Sequence, residues 1–471
     1  MDFPLFHLDF MGNRLLVALI AILHVVINHS LAVGFAPLVT FLEFRGYQKK
    51  QVNPEEGAAW DETARKLLFT AFIITTTVGA LTGVGIWFAA SLANPASLGS
   101  LIRVFYFAWF TEWIIFVLEV VFIMIYFLTW KRSNENPKRK RKHILFGLWL
   151  SIFSWLTMAI IVAILGFMMD PGSWINHKTL FSGFTNPIYF PQLIFRTPIA
   201  MMMAGCIALL ITAYILKRGH PYRPGLLKNL SFWILLWTPV AAAGAFIYYW
   251  FIPRSMIGNL PVALGTQQFQ DWYDSLLTVM IVVVSIGFAV SILGTFAPRR
   301  LPKHLLFIPV VASILFLGTF ERLREFIRKP YVIGDYMYAN GILVEEYPLY
   351  QQTGLLKNSP YSSVSEITDA NRLKAGEEVF NLACTRCHTT HGVNSVVNRF
   401  ERMYGTENPL NVEAMKAYMK SMHNVRYYMP PFPGNDKELD ALAWYIQHQQ
   451  AEPEPLEGPQ IKGVDVKEIK Y

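Results

Sequence analysis

The chain has 471 residues, of which 53% are hydrophobic, 15% aromatic and only 16% charged, with a mean hydropathy of +0.33. Soluble domains carry about 25% charge, so this composition excludes a wholly solvated protein, and with it disorder, a disulfide scaffold and a coiled coil. A net charge of +8 points first to basic cytoplasmic loops of a membrane protein, and no nucleic-acid partner is expected.

Eight apolar segments follow in chain order, at roughly 14–43, 67–92, 101–130, 144–168, 190–216, 230–252, 273–297 and 304–327. Each is long enough to cross a ~30 Å hydrocarbon core as a helix, so the lipid bilayer is the first partner. The first exceeds the apolar stretch of a signal peptide and no small-residue cleavage site follows it, so it is expected to be a retained helix. Loops after the odd-numbered spans hold nineteen Lys and Arg, including the run Lys138 to Lys142, against four (Arg14, Arg103, Lys178, Arg254) on the other side. That asymmetry places the N-terminus, and everything after residue 330, outside the cytoplasm of a bacterial inner membrane. The basic run Lys138 to Lys142 reads as a topogenic loop, with acidic-lipid contact as its alternative.

Beyond the last span the composition changes. Residues 331–365 form a Tyr-, Gly- and Pro-containing connector, 366–450 a small soluble helical domain, and 451–471 an extended tail. The soluble domain carries Cys384-Thr385-Arg386-Cys387-His388. Two thiols one helical turn apart can form thioethers to haem vinyl groups, and the next imidazole then reaches the iron. A zinc site would need two further ligands at suitable spacing, and a redox pair would need a thioredoxin-like setting. One covalent haem c is therefore expected. Met429, in Met429-Pro430-Pro431-Phe432, is the expected sixth ligand ahead of Met403, Met415, Met419 and Met422, which lie on helical or charged stretches. The pattern of CxxCH, Met-Pro loop and C-terminal helix resembles a class I cytochrome c. Met/His ligation raises the potential, which suits exchange of single electrons with a periplasmic cytochrome or other redox partner.

Ionisable residues at membrane depth are candidate functional sites. His24 lies about 15 Å into span one and Glu112 at nearly the same depth in span three, with Glu119 two turns further along the same face. Glu325 ends span eight amid Arg322, Arg324, Arg328 and Lys329. The plain alternatives are an interhelical hydrogen bond for His24 and an interfacial ion pair for Glu325.

Across residues 10–340 these features resemble subunit I of the cytochrome bd-type oxidases. The likeness rests on Leu23-His24-Val25 in span one, Gly79-Ala80-Leu81-Thr82-Gly83 in span two, the two glutamates of span three and Asn186-Pro187 before span five. It ends with Glu325-Phe326-Ile327-Arg328-Lys329-Pro330-Tyr331, where Ile327, Lys329 and Tyr331 replace residues of the family signature. The resemblance implies an all-α fold: an eight-helix membrane bundle followed by a small α-helical cytochrome c domain. It also implies a buried pair of haems of b or d type with His24 and Glu325 as axial ligands. Arg322, Arg324 and Arg328 then become candidates for haem propionates, Glu112 and Glu119 become proton carriers to the pair, and a second membrane subunit is implied. Three departures matter. The family's third haem takes a span-five histidine where this chain has Arg196, opposite Met280; arginine stays protonated and cannot ligate iron. The loop that forms the family's quinol site is cut to about 253–272, and the family's last span is replaced by the haem c domain. Two functions follow: an oxidase fed by cytochrome c rather than quinol, or a non-catalytic electron-transfer subunit of a larger respiratory complex.

Overall fold

The computed structural model describes residues 6–265, 270–405 and 409–451, with backbone only for 265 and 270–277. Eight helices are long and apolar enough to cross a membrane: α1 (Asn13–Lys50), α2 (Pro54–Ala93), α3 (Pro95–Ser133), α4 (Pro137–Met169), α5 (Tyr189–Ile215), α6 (Arg223–Phe251), α7 (Gln270–Phe296) and α8 (Phe307–Ile327). Several run past their apolar stretches because their ends are capped rather than dictated by the bilayer. Asn53, Asn94 and Asn136 each accept first-turn backbone N–H groups with Pro at the next position, a stable helix start. Helix α1 is central, packing on α2, α4, α5 and α8. Large side chains such as Phe107, Leu128, Trp250 and Phe296 stay exposed on the outer faces, as lipid-facing positions should.

Helix α1 turns π-helical over Asn28–Gly34, and α2 does so over Thr75–Gly79. Such insertions free carbonyls and re-aim side chains, and they concentrate at functional sites. His24 and His29 flank the start of the first one and point to different partners, as the next subsection describes.

The connector is more ordered than its composition implied. It opens with an antiparallel pair, β1 (Tyr331–Ile333) and β2 (Met337–Tyr338), and continues into α9 (Tyr347–Thr353). The short strands lack the alternation that would have exposed them, and stacked Tyr331 and Tyr338 hold the pair together, ring centroids 5.0 Å apart. The soluble domain contains α10 (Arg372–Ala383), α11 (Val396–Tyr404), α12 (Val412–Val425) and α13 (Asp436–Ala451) around a core of Val379, Phe380, Met415, Leu442 and Ile446. Helices α10 and α13 touch at Gly376, where a Cβ would come within 2.2 Å of the Ala441 carbonyl oxygen. Glu438, 2% exposed, fastens the connector to this domain by accepting the backbone N–H groups of Leu355 (2.8 Å) and Leu356 (2.7 Å). The expected extended tail lies outside the described residues from 452 onward.

Candidate haem sites

The CxxCH segment closes α10. Backbone bonds from Cys387 and His388 back to the Cys384 carbonyl (3.0 and 2.9 Å) wind one turn, which sets the two sulfurs one turn apart. His388 Nδ1 donates to the Asn394 carbonyl at 3.1 Å, which fixes the tautomer with Nε2 available to a metal. Burial pushes the imidazole down to about 4, the Asn394 bond opposing it, so the ring is neutral as a ligand must be. Burial pushes the Cys384 thiol up to about 12, the opposite of the acidified thiol of a redox pair. Met429 sits in the turn between α12 and α13. Its N–H donates to the Arg426 carbonyl (2.8 Å) and its carbonyl accepts from His423 Nδ1 (2.5 Å). Met415 and Met419 are buried in the domain core, where they pack; Met403 is exposed.

In the membrane domain His24 Nδ1 meets the Gly79 carbonyl and Thr82 Oγ1, each at 3.2 Å. The first is a carbonyl of the α2 π-segment, and Nε2 takes no hydrogen bond among the described residues. Gly83 provides the cradle: a Cβ there would stand 3.0 Å from His24 Cε1. Glu325 is an ion-pair centre, receiving Arg14 Nη2 (2.7 Å) and Nε (3.0 Å) and Lys329 Nζ (2.8 Å). One turn earlier Glu321 is paired with Arg196 and with Arg324 Nε (2.9 Å). Arg196, fully buried, also reaches His29 Nε2 at 3.1 Å. The position that the resemblance gives to a third haem ligand is therefore filled by an internal ion-pair network.

These residues suit haem in two respects: a half-buried imidazole with its Nε2 uncommitted, and buried nitrogens at Arg324 Nη1 and Arg328 Nε that meet no hydrogen-bond partner among the described residues. Burial also pushes Arg328 down to about 10, against the pull of Glu325. Glu119 accepts from Ser154 Oγ (2.7 Å) and Thr157 Oγ1 (3.2 Å) of α4. No hydrogen bond or ion pair joins Glu112 to His24 among the described residues.

Sequence reasoning missed Arg14 and Glu321, which it treated as a loop charge and not at all; their i−4 and chain-start positions around Glu325 were the available signal. It also missed a buried cluster at the opposite end of the bundle, where Glu43 accepts from His143 Nδ1 (2.6 Å), Lys140 Nζ (2.6 Å) and Tyr126 OH (2.5 Å). Lys140 there bridges to Asp61 (2.5 Å), so four helices are tied together.

Residues 371–446 match the sequence family described as cytochrome C oxidase, cbb3-type, subunit III. The fold is similar to that of the bd oxidase from Geobacillus thermodenitrificans, with a TM-score of 0.56 over 70% of this chain and 90% of that one, at 17% identity. No curated protein matches the chain. The protein is a helical membrane bundle of bd oxidase-like fold with a C-terminal cytochrome c domain. Its cytochrome c domain supports a covalent haem c and, with it, a haem redox protein.

Proposed function

We propose that this chain is a membrane-bound respiratory oxidoreductase that passes electrons between a periplasmic haem c and two buried haems of b or d type at the outer ends of α1 and α8. The observation that carries this reading is the seating of the Met429 loop on the bundle. The Tyr428 ring lies 5.6 Å from that of Phe326, the residue next to Glu325. The loop that carries Met429, the residue that would ligate haem c, is thus seated beside Glu325.

The haems supply the one-electron chemistry; the protein supplies ligation, orientation and electrostatics. His388 and Met429 hold haem c, and His24 and Glu325 are the axial candidates in the bundle. Arg322, Arg324 and Arg328 compensate propionates, and Glu112 and Glu119 hold protons at membrane depth, Glu119 kept in place by Ser154 and Thr157. The loop-charge asymmetry supports a periplasmic N-terminus and cytochrome c domain in an inner membrane. A second membrane subunit and a periplasmic redox donor complete the assembly.

In the catalytic form of this reading oxygen is the acceptor and a cytochrome c the donor. A second reading, an electron-transfer subunit without catalysis, is favoured by the Arg196–Glu321 pair, which fills one former haem position. The test is rapid mixing of the reduced protein with oxygen while the haem c band and the other haem bands are followed. Coupled oxidation of both with oxygen consumption supports the oxidase. Exchange between the haems without oxygen uptake supports the carrier, and a haem c band that never couples to another haem refutes both.

A further inference from the structure

The chain's first described residues, 6–13, do more than lead into α1. They fold into a turn, with Gly12 N–H donating to the Leu8 carbonyl (2.7 Å) and Leu8 N–H to Asn13 Oδ1 (3.3 Å). From this turn Asp9 projects a carboxylate that accepts two consecutive backbone N–H groups of the soluble domain, Thr390 at 2.5 Å and His391 at 3.1 Å. Those amides lie two and three residues after His388. His7 Nε2 stands on the same carboxylate at 3.0 Å. Burial alone would raise the Asp9 carboxyl, but His7 and the two amides outweigh it and hold the group well below the usual carboxylate range. A carboxylate bonded to backbone amides in this way is a charge-assisted contact, among the stronger polar contacts a protein makes.

The close fit extends beyond Asp9. A Cβ on Gly392 would collide with the Asp9 carbonyl oxygen at 1.9 Å and with that of Phe10 at 2.6 Å, and one on Gly12 would press on the Thr389 methyl at 3.2 Å. The attachment loop is itself closed, by Asn394 Nδ2 to the Cys387 carbonyl (2.6 Å) and by Thr389 Oγ1 to the Val393 carbonyl (3.0 Å). A closed loop that carries the iron ligand His388 is therefore pinned to a turn that runs, two residues past Gly12, into Arg14 and so to Glu325. On its other side the domain is held separately, by Glu438 on the connector.

We propose that residues 6–13 are an internal dock for the haem c attachment loop, with Asp9 as its positioning residue, so that haem c is a fixed relay rather than a swinging one. The relay half rests on the electron-transfer reading above; the dock does not. Every one-electron oxidation at haem c is matched by a one-electron reduction of a buried haem, and the dock keeps the two at constant separation.

The experiment uses the full chain in detergent with Asp9→Ala and Asp9→Asn variants, each checked for covalent haem by in-gel staining. Hydrogen exchange at Thr390 and His391 should quicken about tenfold or more in Asp9→Ala, with the haem stain unchanged and internal electron transfer slowed. Asp9→Asn, which keeps one acceptor oxygen, should fall between. Unchanged exchange, or faster exchange with an unchanged transfer rate, overturns the proposal. A wild-type protein with no internal transfer sinks the functional reading and the relay together, and the exchange result then decides the dock alone.

Discussion

The Arg196–Glu321–Arg324 network makes unequal predictions for its members. Replacing Arg196 with Leu removes one guanidinium from Glu321, yet Arg324 Nε still donates to that carboxylate at 2.9 Å, so the cost should sit near the low end for a broken buried pair, about 3 kcal/mol. Replacing Glu321 with Leu strips the partner from two guanidiniums at once, Arg196 being fully buried and Arg324 nearly so, and should cost about 5 kcal/mol. The assay is thermal unfolding of the detergent-solubilised chain, with total haem measured in parallel. Glu321→Leu should lower the midpoint more than Arg196→Leu, and Arg196→Leu should leave the haem count intact because no iron is assigned there. A reversed order, two neutral variants, or haem lost from Arg196→Leu would refute the reasoning.

Two further outcomes are expected. Replacing both attachment thiols (Cys384→Ser with Cys387→Ser) should abolish in-gel haem staining of the ~54 kDa chain, and a persistent stain would place attachment elsewhere. His24→Ala should remove one non-covalent haem per chain and leave haem c in place; an unchanged haem count would make His24 an interhelical hydrogen-bonding residue only.

The eight spans and the cytochrome c motif were legible in sequence because each is a local signal: an apolar run as long as the bilayer is thick, and five consecutive residues with one chemistry. What was not legible is where chain-distant charges meet. Arg14 was counted only for topology, yet it pairs with Glu325 across 311 positions. Asp9 was unremarkable until its partners, the amides of Thr390 and His391, were seen beside it, since backbone donors leave no trace in composition. Helix extent was also underread. The Asn53-Pro54, Asn94-Pro95 and Asn136-Pro137 pairs are N-cap signals that mark where α2, α3 and α4 begin, whereas hydropathy marks only where lipid begins. The same limit applies to β1 and β2, three and two residues long, which no periodicity can reveal.

The claim that haem c works beside a buried haem pair is tested most directly by the haem content of the purified full chain, measured as pyridine haemochromes together with in-gel staining. The account predicts one covalent c-type haem and two non-covalent haems of b or d type per chain. A chain that contains haem c and no other haem would contradict it.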